Sequence, residues 1–406
     1  MDHSQFKTPP NQYRELPFWS WNDDLDPAEV ARQVKLFAHA GWGGFFIHAR
    51  SGLKTPYLSE QWMACVGAAV DAAKEHGLTA WLYDEDKWPS GFAGGLSVAA
   101  NPAHRMMHLF CSIDDKPALI AERIAMFQAR EVEGELIDIR PVDTPSLQDS
   151  ADRLIQFYPQ HLPLGIGKFN GYSYLSMLDP EAVRGFIETT HEAYKAHLGA
   201  HFGSTIPGIF TDEPAYLTDK GIDPSQVMLP WTDELPRLYQ ERSGRDLLPE
   251  LASLFFDVGD YHQVRYEFWA TVTQRFVDSY TKQIADWCAA NHLKSTGHLM
   301  HEDTLTRQVE RIGSAMQHYA HMHIPGVDNL ARTINEGWGT VLTLKQLDSV
   351  VSQMGKERAL VENYGASGYD FAHHGRKWIG EWAYVLGANL NNPHLAAYSL
   401  RGARKR

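Results

Sequence analysis

The feature that most constrains the fold is an alternation of short apolar runs with longer helical periods. The apolar runs are LPFWSW at 16–21, GGFFIHAR at 43–50 and LTAWLYDE at 78–85. Two segments of helical periodicity, 26–41 and 59–77, separate them. A strand followed by a helix, repeated in this way, is typical of parallel β/α folds.

The helical segments also carry the residues that begin and end helices. Asp26 and Ser59 stand where an N-cap is expected, and Pro27 occupies the first turn after Asp26. Gly41 and Gly77 follow the last periodic residues, where a helix commonly stops. These residues predict two helices at 26–41 and 59–77.

The alternation is interrupted twice and otherwise continues to the end of the chain. Segments of alternating polarity at 96–170 predict a β-rich insertion after the third strand, and 217–290 reads as a helical insertion after the fourth. The further strands are predicted at 207–212, 293–299, 319–324, 359–365 and 394–400, and the further helices at 179–199, 303–312, 342–355 and 371–387.

Eight strands with intervening helices predict one (β/α)8 TIM barrel spanning residues 1–406, with both insertions inside it. An open, doubly wound sheet is the alternative. No glycine-rich phosphate loop follows the first strand, and nearly every strand ends on polar residues, so we favour the barrel.

Reactive and aromatic side chains stand at the predicted strand ends. In a barrel these ends converge on one mouth, where the active site forms. The candidates are Trp19, Trp21, Asn22, His48, Arg50, Asp84, Glu85, Trp88, Asp212, Glu213, His298, Glu302, His323, Glu362 and Tyr364. Carboxylates, imidazoles and aromatic rings in one cavity favour sugar chemistry, since aromatic faces stack on sugars and short polar groups bind hydroxyls.

Glu213 in GIFTDEP and Glu362 in VENYG are the candidate catalytic pair. Glycoside hydrolysis needs one protonated carboxyl group and a second, ionised one across the sugar. Both acids end apolar strands, in the fourth and seventh places. Alone, Glu213 also fits a surface turn opened by Asp212 and Pro214, and Glu362 also fits a helix-capping or salt-bridging carboxylate.

The stretch YDEDKW at 83–88 has two readings. It can be a solvated charged face, or Asp84 and Glu85 can bind sugar hydroxyls or a cation, with Trp88 as a stacking platform. Arg50 similarly either contacts substrate or neutralises the acids and thereby shifts their pKa values.

HMH at 321–323 raises a second hypothesis, a metal-dependent hydrolase. Side chains two apart on a strand share a face, so His321 and His323 could bind one ion. The alternative is polar lining of the cavity. A third hypothesis is a barrel that binds carbohydrate with weak or no catalysis.

Composition limits the partners. The net charge is −13 and the basic residues form no block before the terminal RGARKR, so we expect neither nucleic acid nor a membrane as a partner. Three separated cysteines and the absence of an apolar start predict a soluble, cytoplasmic protein, unless a leader was removed.

The motifs together carry a family resemblance. PFWSWNDDL, GGFFIHARSGLKTPYLS, WLYDEDKWPSGFAGG, PGIFTDEP, TGHLMHED, HMHIPGVD and VENYGASG occur in that order. From about 15 to 404 the chain resembles the catalytic barrel of bacterial glycoside hydrolases related to the family 106 α-L-rhamnosidases and, more loosely, clan A glycosidases.

The resemblance implies a rhamnosidase-like glycosidase acting on an oligosaccharide or glycoconjugate, with Glu213 as proton donor and Glu362 as nucleophile or base. It also implies a possible calcium ion, with Asp84 or Glu302 as ligand, and β-rich modules beyond the barrel in longer relatives. The chain departs from clan A at Asp212, where that clan commonly has Asn.

Overall fold

The computed structural model describes residues 3–116, 118–330, 332–334 and 339–402. Within them, the parallel strands are β1 Phe18–Trp21, β2 Gly44–Ala49, β3 Thr79–Tyr83, β8 Gly208–Asp212, β10 Lys294–His298, β11 Ile324–Asn329, β12 Leu360–Asn363, β13 Leu390–Pro393 and the short β14 Ala396–Ala397. They close into a barrel in the order β13-β12-β11-β10-β8-β3-β2-β1-β14. The predicted α/β barrel with insertions is confirmed.

The last strands close the barrel onto the first. β14 pairs in parallel with β1, with Trp19 opposite Ala396. The Leu16 amide donates to the Asn391 carbonyl of β13 at 3.1 Å, just before β1 begins. β13 is therefore the eighth barrel strand, and β14 extends the pairing with β1 toward the mouth of the barrel.

Helices cover the outside of the barrel. They are α1 His3–Lys7, α2 Pro27–Ala40, α3 Glu60–Glu75, α4 Leu96–Ala100, α5 Pro180–Thr189, α6 His191–Leu198, α7 Leu235–Ser243, α8 Leu251–Phe255, α9 Tyr261–Phe276, α10 Gln283–Ala290, α11 Leu305–Arg311, α12 Ala315–His321, α13 Val341–Gln353 and α14 His373–Val385. None of these described helices has both the length and the apolar character needed to cross a membrane.

The predicted helix caps are confirmed. Asp26 accepts from the Ala28 amide, and Gly41 ends α2 in the left-handed region at φ 85°. Ser59 accepts from the Trp62 amide at the start of α3. These local signals act within one turn of backbone, which is why they could be read without tertiary information.

Alternation along the strands separates two hydrophobic layers. Phe18, Phe46 and Phe210 point into the barrel and pack edge to face on one another. Trp19 and Trp21 point outward, where Trp21 packs edge to face on Trp62 of α3. Successive side chains of a strand face opposite sides, so one residue of register decides between barrel interior and helix layer.

A second, antiparallel sheet stands beside the barrel in the order β6-β5-β7-β4-β9. Its strands are β4 Met107–Asp114, β5 Ala125–Val132, β6 Glu135–Pro141, β7 Asp152–His161 and β9 Met228–Trp231. The first four lie in the segment after β3, and β9 comes from the segment after β8. The segment 217–290, expected to be helical, therefore also contributes a strand, and the sheet joins the two insertions.

Two predicted strands were misplaced. Residues 319–321 belong to α12, and the sixth strand is Ile324–Asn329; the eighth is Leu390–Pro393 rather than 394–400. Pro325 and Gly326 interrupt the apolar signal of the sixth strand, and asparagines dominate the eighth. The true strands lacked the pattern by which buried strands are recognised.

Buried asparagines link these strands. Asn329 Nδ2 donates to Asn363 Oδ1 at 2.8 Å, and Asn363 Nδ2 donates to Asn391 Oδ1 at 2.8 Å. Asn363 is fully buried between the other two. Side-chain amides that bond to one another across neighbouring strands take the place of apolar packing here.

We expect Asn363→Ala to lower the free energy of unfolding by about 2 kcal/mol, because the amides of Asn329 and Asn391 each lose a buried partner. Urea denaturation followed by circular dichroism measures the effect. Gln226→Ala, at an exposed position, is the control and should stay within about 0.5 kcal/mol of the parent. Equal midpoints for the two variants would contradict a stabilising role for the amide ladder.

Candidate active site

A cavity of about 880 Å³ opens at the C-terminal ends of the barrel strands. This lies within the range of roughly 300–1,000 Å³ that small-molecule sites occupy. Each side of the barrel contributes to its lining, which includes Ser20, Asn22, Arg50, Trp88, Lys168, Asp212, Glu213, Glu302, Asp328, Glu362, Tyr364, Arg376 and His394.

Asp212 and Glu213 occupy the end of β8 in different environments. Asp212 is buried, and its Oδ2 accepts from the Tyr83 hydroxyl at 2.6 Å. Glu213 has φ 48°, in the left-handed region, and its amide donates to the His298 carbonyl at 3.1 Å. Its side chain is partly accessible from the cavity. The chain therefore ends its strand on a buried carboxylate and turns sharply to present a second one.

The surroundings of Glu213 disfavour its charged form. Burial and the neighbouring Asp212 charge raise the pKa of Glu213 to about 8, against the opposing effect of His298. A carboxyl group that stays protonated near pH 7 can donate a proton to a leaving oxygen.

Glu362, at the end of β12, is held by histidine. Its Oε2 lies 2.7 Å from His298 Nε2, and its Oε1 lies 4.0 Å from His394 Nε2. Burial opposes a charge on His298, but the hydrogen bond to Glu362 and the charges of Asp328 and Asp212 raise the pKa of His298 well above its usual value. Burial raises the pKa of Glu362, while the bond from His298 counteracts it.

Arg50 connects two further histidines beside this pair. Its Nη1 donates to His48 Nε2 at 3.2 Å and its Nη2 donates to His394 Nε2 at 3.1 Å. Burial and the Arg50 charge lower the pKa of His394 to about 3 and that of His48 well below its usual value. Both imidazoles are therefore neutral acceptors that orient the guanidinium toward the cavity.

Asp328, at the end of β11, was missed by the sequence analysis. It lines the cavity, and within the described structure its buried Oδ1 has no hydrogen-bond partner. Burial and the Glu362 charge raise its pKa well above the usual value. The VDN that ends β11 resembles the TDE and VEN of the other acidic strand ends, and this signal was overlooked because the strand was placed five residues early.

Glu302 lines the cavity but its oxygens are engaged. They accept from the Leu299 amide at 2.8 Å, the Tyr319 hydroxyl at 2.6 Å and the Asp328 amide at 3.2 Å. Burial raises its pKa to about 7. These bonds attach the loop after β10 to α12 and β11. Glu302 therefore helps to fix the position of the Asp328 backbone.

Several predicted site residues do not reach the cavity. Trp19 and Trp21 lie in the outer layer, so the expectation that they stack on a sugar is wrong. His48 lies below the mouth, stacked on Tyr83 at 4.0 Å between ring centroids. His298 is buried and meets the cavity through its contact with Glu362. Register and burial, rather than residue type, decide these outcomes.

Asp84 and Glu85 serve the backbone of the loop after β3, and neither lines the cavity. Glu85 accepts from the amides of Asp86, Gly91, Ala93 and Gly94 at 2.6 to 3.0 Å. Asp84 Oδ1 accepts from the Ser90 hydroxyl at 2.5 Å, and Ser90 Oγ accepts from the Asp212 amide at 2.8 Å. Both readings of this stretch, a solvated face and a sugar-binding group, are wrong for these two buried acids.

His323 lies at the opposite end of the barrel from the cavity. It precedes β11, and its Nδ1 accepts from the Ser295 amide at 3.1 Å at the start of β10. His321 ends α12. The two imidazoles are therefore not neighbours on one strand, and the predicted metal pair is wrong.

Three other candidates do line the cavity. Asn22 ties down the C-terminal segment, since its amide donates to the Ser399 carbonyl and accepts from the Ser399 amide, both at 2.9 Å. Trp88 carries the Lys168 ammonium over its ring, 3.3 Å from the centroid, so that ring face is covered. Tyr364 receives a hydrogen bond from Asn391 Nδ2 at 3.2 Å.

The calcium ligands implied by the resemblance do not fit. Asp84 is buried away from the cavity, and the oxygens of Glu302 are occupied by protein donors. A different group, Glu213, His298 and Asp328, brings possible ligand atoms within 4.8 Å of one another. An imidazole with two carboxylates suits a transition metal better than calcium, which prefers oxygen ligands throughout.

Solved structures with this architecture include two carbohydrate enzymes. A rhamnosidase from Novosphingobium sp. PP1Y matches with a TM-score of 0.69 and 14% identity over 98% of this chain. The catalytic domain of a β-amylase from Paenibacillus polymyxa matches with a TM-score of 0.51 and 10% identity, covering 97% of this chain and 95% of that one. No family model and no curated protein matches the sequence.

These likenesses define the fold class. The chain is an α/β barrel with the same overall fold as these two proteins, and it spans 56% of the rhamnosidase chain.

Asp84 supports Asp212 through Ser90, and the pKa of Asp84 allows a test of its burial. Burial raises that pKa to about 8 from 3.8, so between these values the folded state keeps a proton that the unfolded state loses. Asp84 alone should then contribute a fall of up to about 1.4 kcal/mol per pH unit to the free energy of unfolding as pH rises from 5 to 7. Asp84→Asn should make the slope shallower by about that amount in urea titrations, whereas Asp71→Asn, exposed on α3, should leave it unchanged. Equal slopes in the parent and Asp84→Asn would refute the shift.

Proposed function

We propose that the protein is a glycosidase that cleaves a glycosidic bond with Glu213 as general acid and Glu362 as nucleophile or base. The observation that carries the proposal is the contrast between two carboxyl groups in one cavity. Glu213 is held protonated by burial beside Asp212, whereas Glu362 is hydrogen-bonded to a cationic imidazole. Paired carboxyl groups whose environments differ in this way are what acid and base roles require.

Glu213 delivers the proton. As the bond to the leaving group breaks, negative charge grows on the glycosidic oxygen, and proton transfer from Glu213 neutralises it. Asp212 supports this role without touching the proton, since its charge adds to burial in raising the pKa of Glu213. The Tyr83 hydroxyl and the Ser90 contact to its backbone hold Asp212 in place.

Glu362 supplies the negative charge at the reacting carbon. The proton of the His298–Glu362 pair resides on His298, whose pKa is raised, and this leaves the carboxylate ionised. Arg50 adds a second cation nearby and counteracts the effect of burial on Glu362. A carboxylate so placed stabilises positive charge on the sugar ring and attacks carbon or activates water.

A rhamnosidase-like substrate is the specific form of the proposal. Its support is the structural likeness to a solved rhamnosidase, together with a cavity that has room for a saccharide. Aryl α-L-rhamnosides and aryl galactosides are the first substrates to assay. Whether the released sugar first has the original or the opposite anomeric configuration, read by NMR, assigns Glu362 as nucleophile or as base.

Glu213→Gln and Glu362→Gln should each lower kcat/KM roughly 10²- to 10⁴-fold on a natural oligosaccharide. For Glu213→Gln the loss should shrink on aryl glycosides with acidic phenols, because such leaving groups need no proton. The alkaline limb of the kcat/KM profile should fall near pH 8 in the parent and be absent in Glu213→Gln. Initial-rate assays between pH 5 and 9 measure both effects.

Glu122→Gln, at an exposed position, is the matched control and should keep full activity. Circular dichroism spectra of both site variants should overlay the parent spectrum. Undiminished turnover by either site variant would remove that residue from the mechanism.

A second candidate function, metal-assisted hydrolysis, is favoured by the proximity of Glu213, His298 and Asp328. These three side chains would hold the ion, which would activate water there. The two functions exclude each other at Glu213, because a carboxylate bound to a metal carries no proton to donate.

Under the two-carboxylate mechanism we expect dialysis against EDTA to leave kcat unchanged. Elemental analysis of the purified protein and assays with and without added Zn²⁺, Mn²⁺ or Ca²⁺ check this. Loss of activity on chelation with recovery on adding one ion would transfer the assignment to the metal site. Heat-treated protein assayed with the same ions controls for metal-catalysed hydrolysis in solution.

A further inference from the structure

Arg376 is a cation in the cavity wall that has no anionic partner among the described residues. It lies on α14, between the main cavity and a smaller one of about 440 Å³. Its Nε is buried and donates no hydrogen bond within the described structure, and its Cζ stands 5.7 Å from the centre of the Tyr364 ring. A buried N–H group without an acceptor is costly, so the protein alone does not satisfy this guanidinium.

Other arginines around the barrel mouth are engaged. Arg50 donates to two histidines, and Arg311 donates to the Leu217 carbonyl at 3.2 Å. Arg332 forms a forked pair with Asp370, both contacts being 3.1 Å. Arg376 therefore differs from these three arginines in donating no side-chain hydrogen bond within the described residues.

Lys168 is a second such cation. Its Nζ lies over the Trp88 ring and forms no ion pair with the described acids. The charges of Asp212 and Glu213 reach it only at longer range. The neighbouring Lys87, in contrast, donates to Asn170 Oδ1 at 2.5 Å.

The two cations approach from opposite sides of the barrel. Lys168 stands beside Trp88, which follows the third barrel strand, and Arg376 is on the helix after the seventh. In a closed ring of eight strands, the third and seventh lie across from each other. A ligand in the cavity would thus lie between two cationic walls.

Three further acids of the lining do not cancel these cations, because they have partners of their own. Asp219 pairs with Lys220 at 3.4 Å, and Asp303 pairs with Arg307 at 3.3 Å. The oxygens of Glu302 are filled by three protein donors. The cationic side chains at the walls remain available to substrate.

We infer that the saccharide taken by this cavity carries a carboxylate, which Arg376 binds and which Lys168 attracts from the facing wall. The inference rests on the proposed glycosidase function and names its substrate class, an oligosaccharide containing a uronic acid. A planar guanidinium matches a carboxylate with two parallel N–H···O bonds, which neither a hydroxyl nor an ester can reproduce. Lys168, as a point charge, adds attraction without that geometry.

Binding of galacturonate and glucuronate oligosaccharides, each compared with its methyl ester, tests the inference by titration calorimetry. At least one acid should bind roughly tenfold or more tightly than its ester, as expected for a charge-assisted bond. Arg376→Gln should remove most of this preference while leaving the affinity for the ester unchanged. Lys168→Gln should reduce the preference less, and 0.5 M salt should weaken acid binding in the parent.

Arg332→Gln and Lys87→Gln are the matched controls and should keep the acid preference. The inference is overturned if no acid binds better than its ester, or if Arg376→Gln keeps the full preference. Calorimetry reports binding whether or not a bond is cleaved, so acid preference without turnover would contradict only the glycosidase proposal. Hydrolysis of neutral glycosides without acid preference would contradict only the carboxylate subsite.

Discussion

The hydrogen bond between His298 and Glu362 sets the charge distribution on which the cavity depends. It joins two barrel strands at 2.7 Å in a buried place, where an unpaired imidazolium or carboxylate would be costly. With the proton on His298, the nearby acids need not all be neutral. Asp212 approaches the same imidazole at 3.8 Å, and burial beside Asp212 raises the pKa of Glu213. One pair therefore permits an ionised and a protonated carboxyl group in the same small volume.

Two kinds of contact stabilise the strands that carry this pair, namely apolar packing and hydrogen bonds between buried polar groups. Aromatic and aliphatic side chains fill the lower barrel, with Phe18, Phe46 and Phe210 at its centre. On the outward face of β11 to β13, buried asparagines replace apolar packing. The loop after β3 is organised in the same polar manner, by Glu85 on four backbone amides. Satisfied polar groups hold one geometry, which a catalytic mouth needs more than extra burial.

The charged side chains at the bottom of the cavity differ in their pairing from those around its rim. At the strand ends, Glu362 is hydrogen-bonded to His298 and Asp212 lies near the same imidazole, whereas Lys168 and Arg376 on the surrounding loop and helix lack acidic partners among the described residues. In the proposed function, the reacting groups are therefore on the strands, and the groups that recognise substrate are on the elements around them. This division follows from barrel architecture, in which strand ends are the best-fixed positions and loops vary.

The sequence by itself determined the barrel, most of its strands, the caps of its first helices and the two acids now placed in one cavity, because these depend on local periodicity and on residues at strand ends. It misplaced the sixth and eighth strands, where Pro325, Gly326 and buried asparagines hide the apolar pattern. Only the tertiary structure decided that Trp19 and Trp21 face outward, that Glu85 serves backbone amides, and that Asp328 joins His298 and Glu362. Those outcomes depend on register and on contacts between residues distant in the chain, which bring together groups whose burial and charge then set one another's protonation.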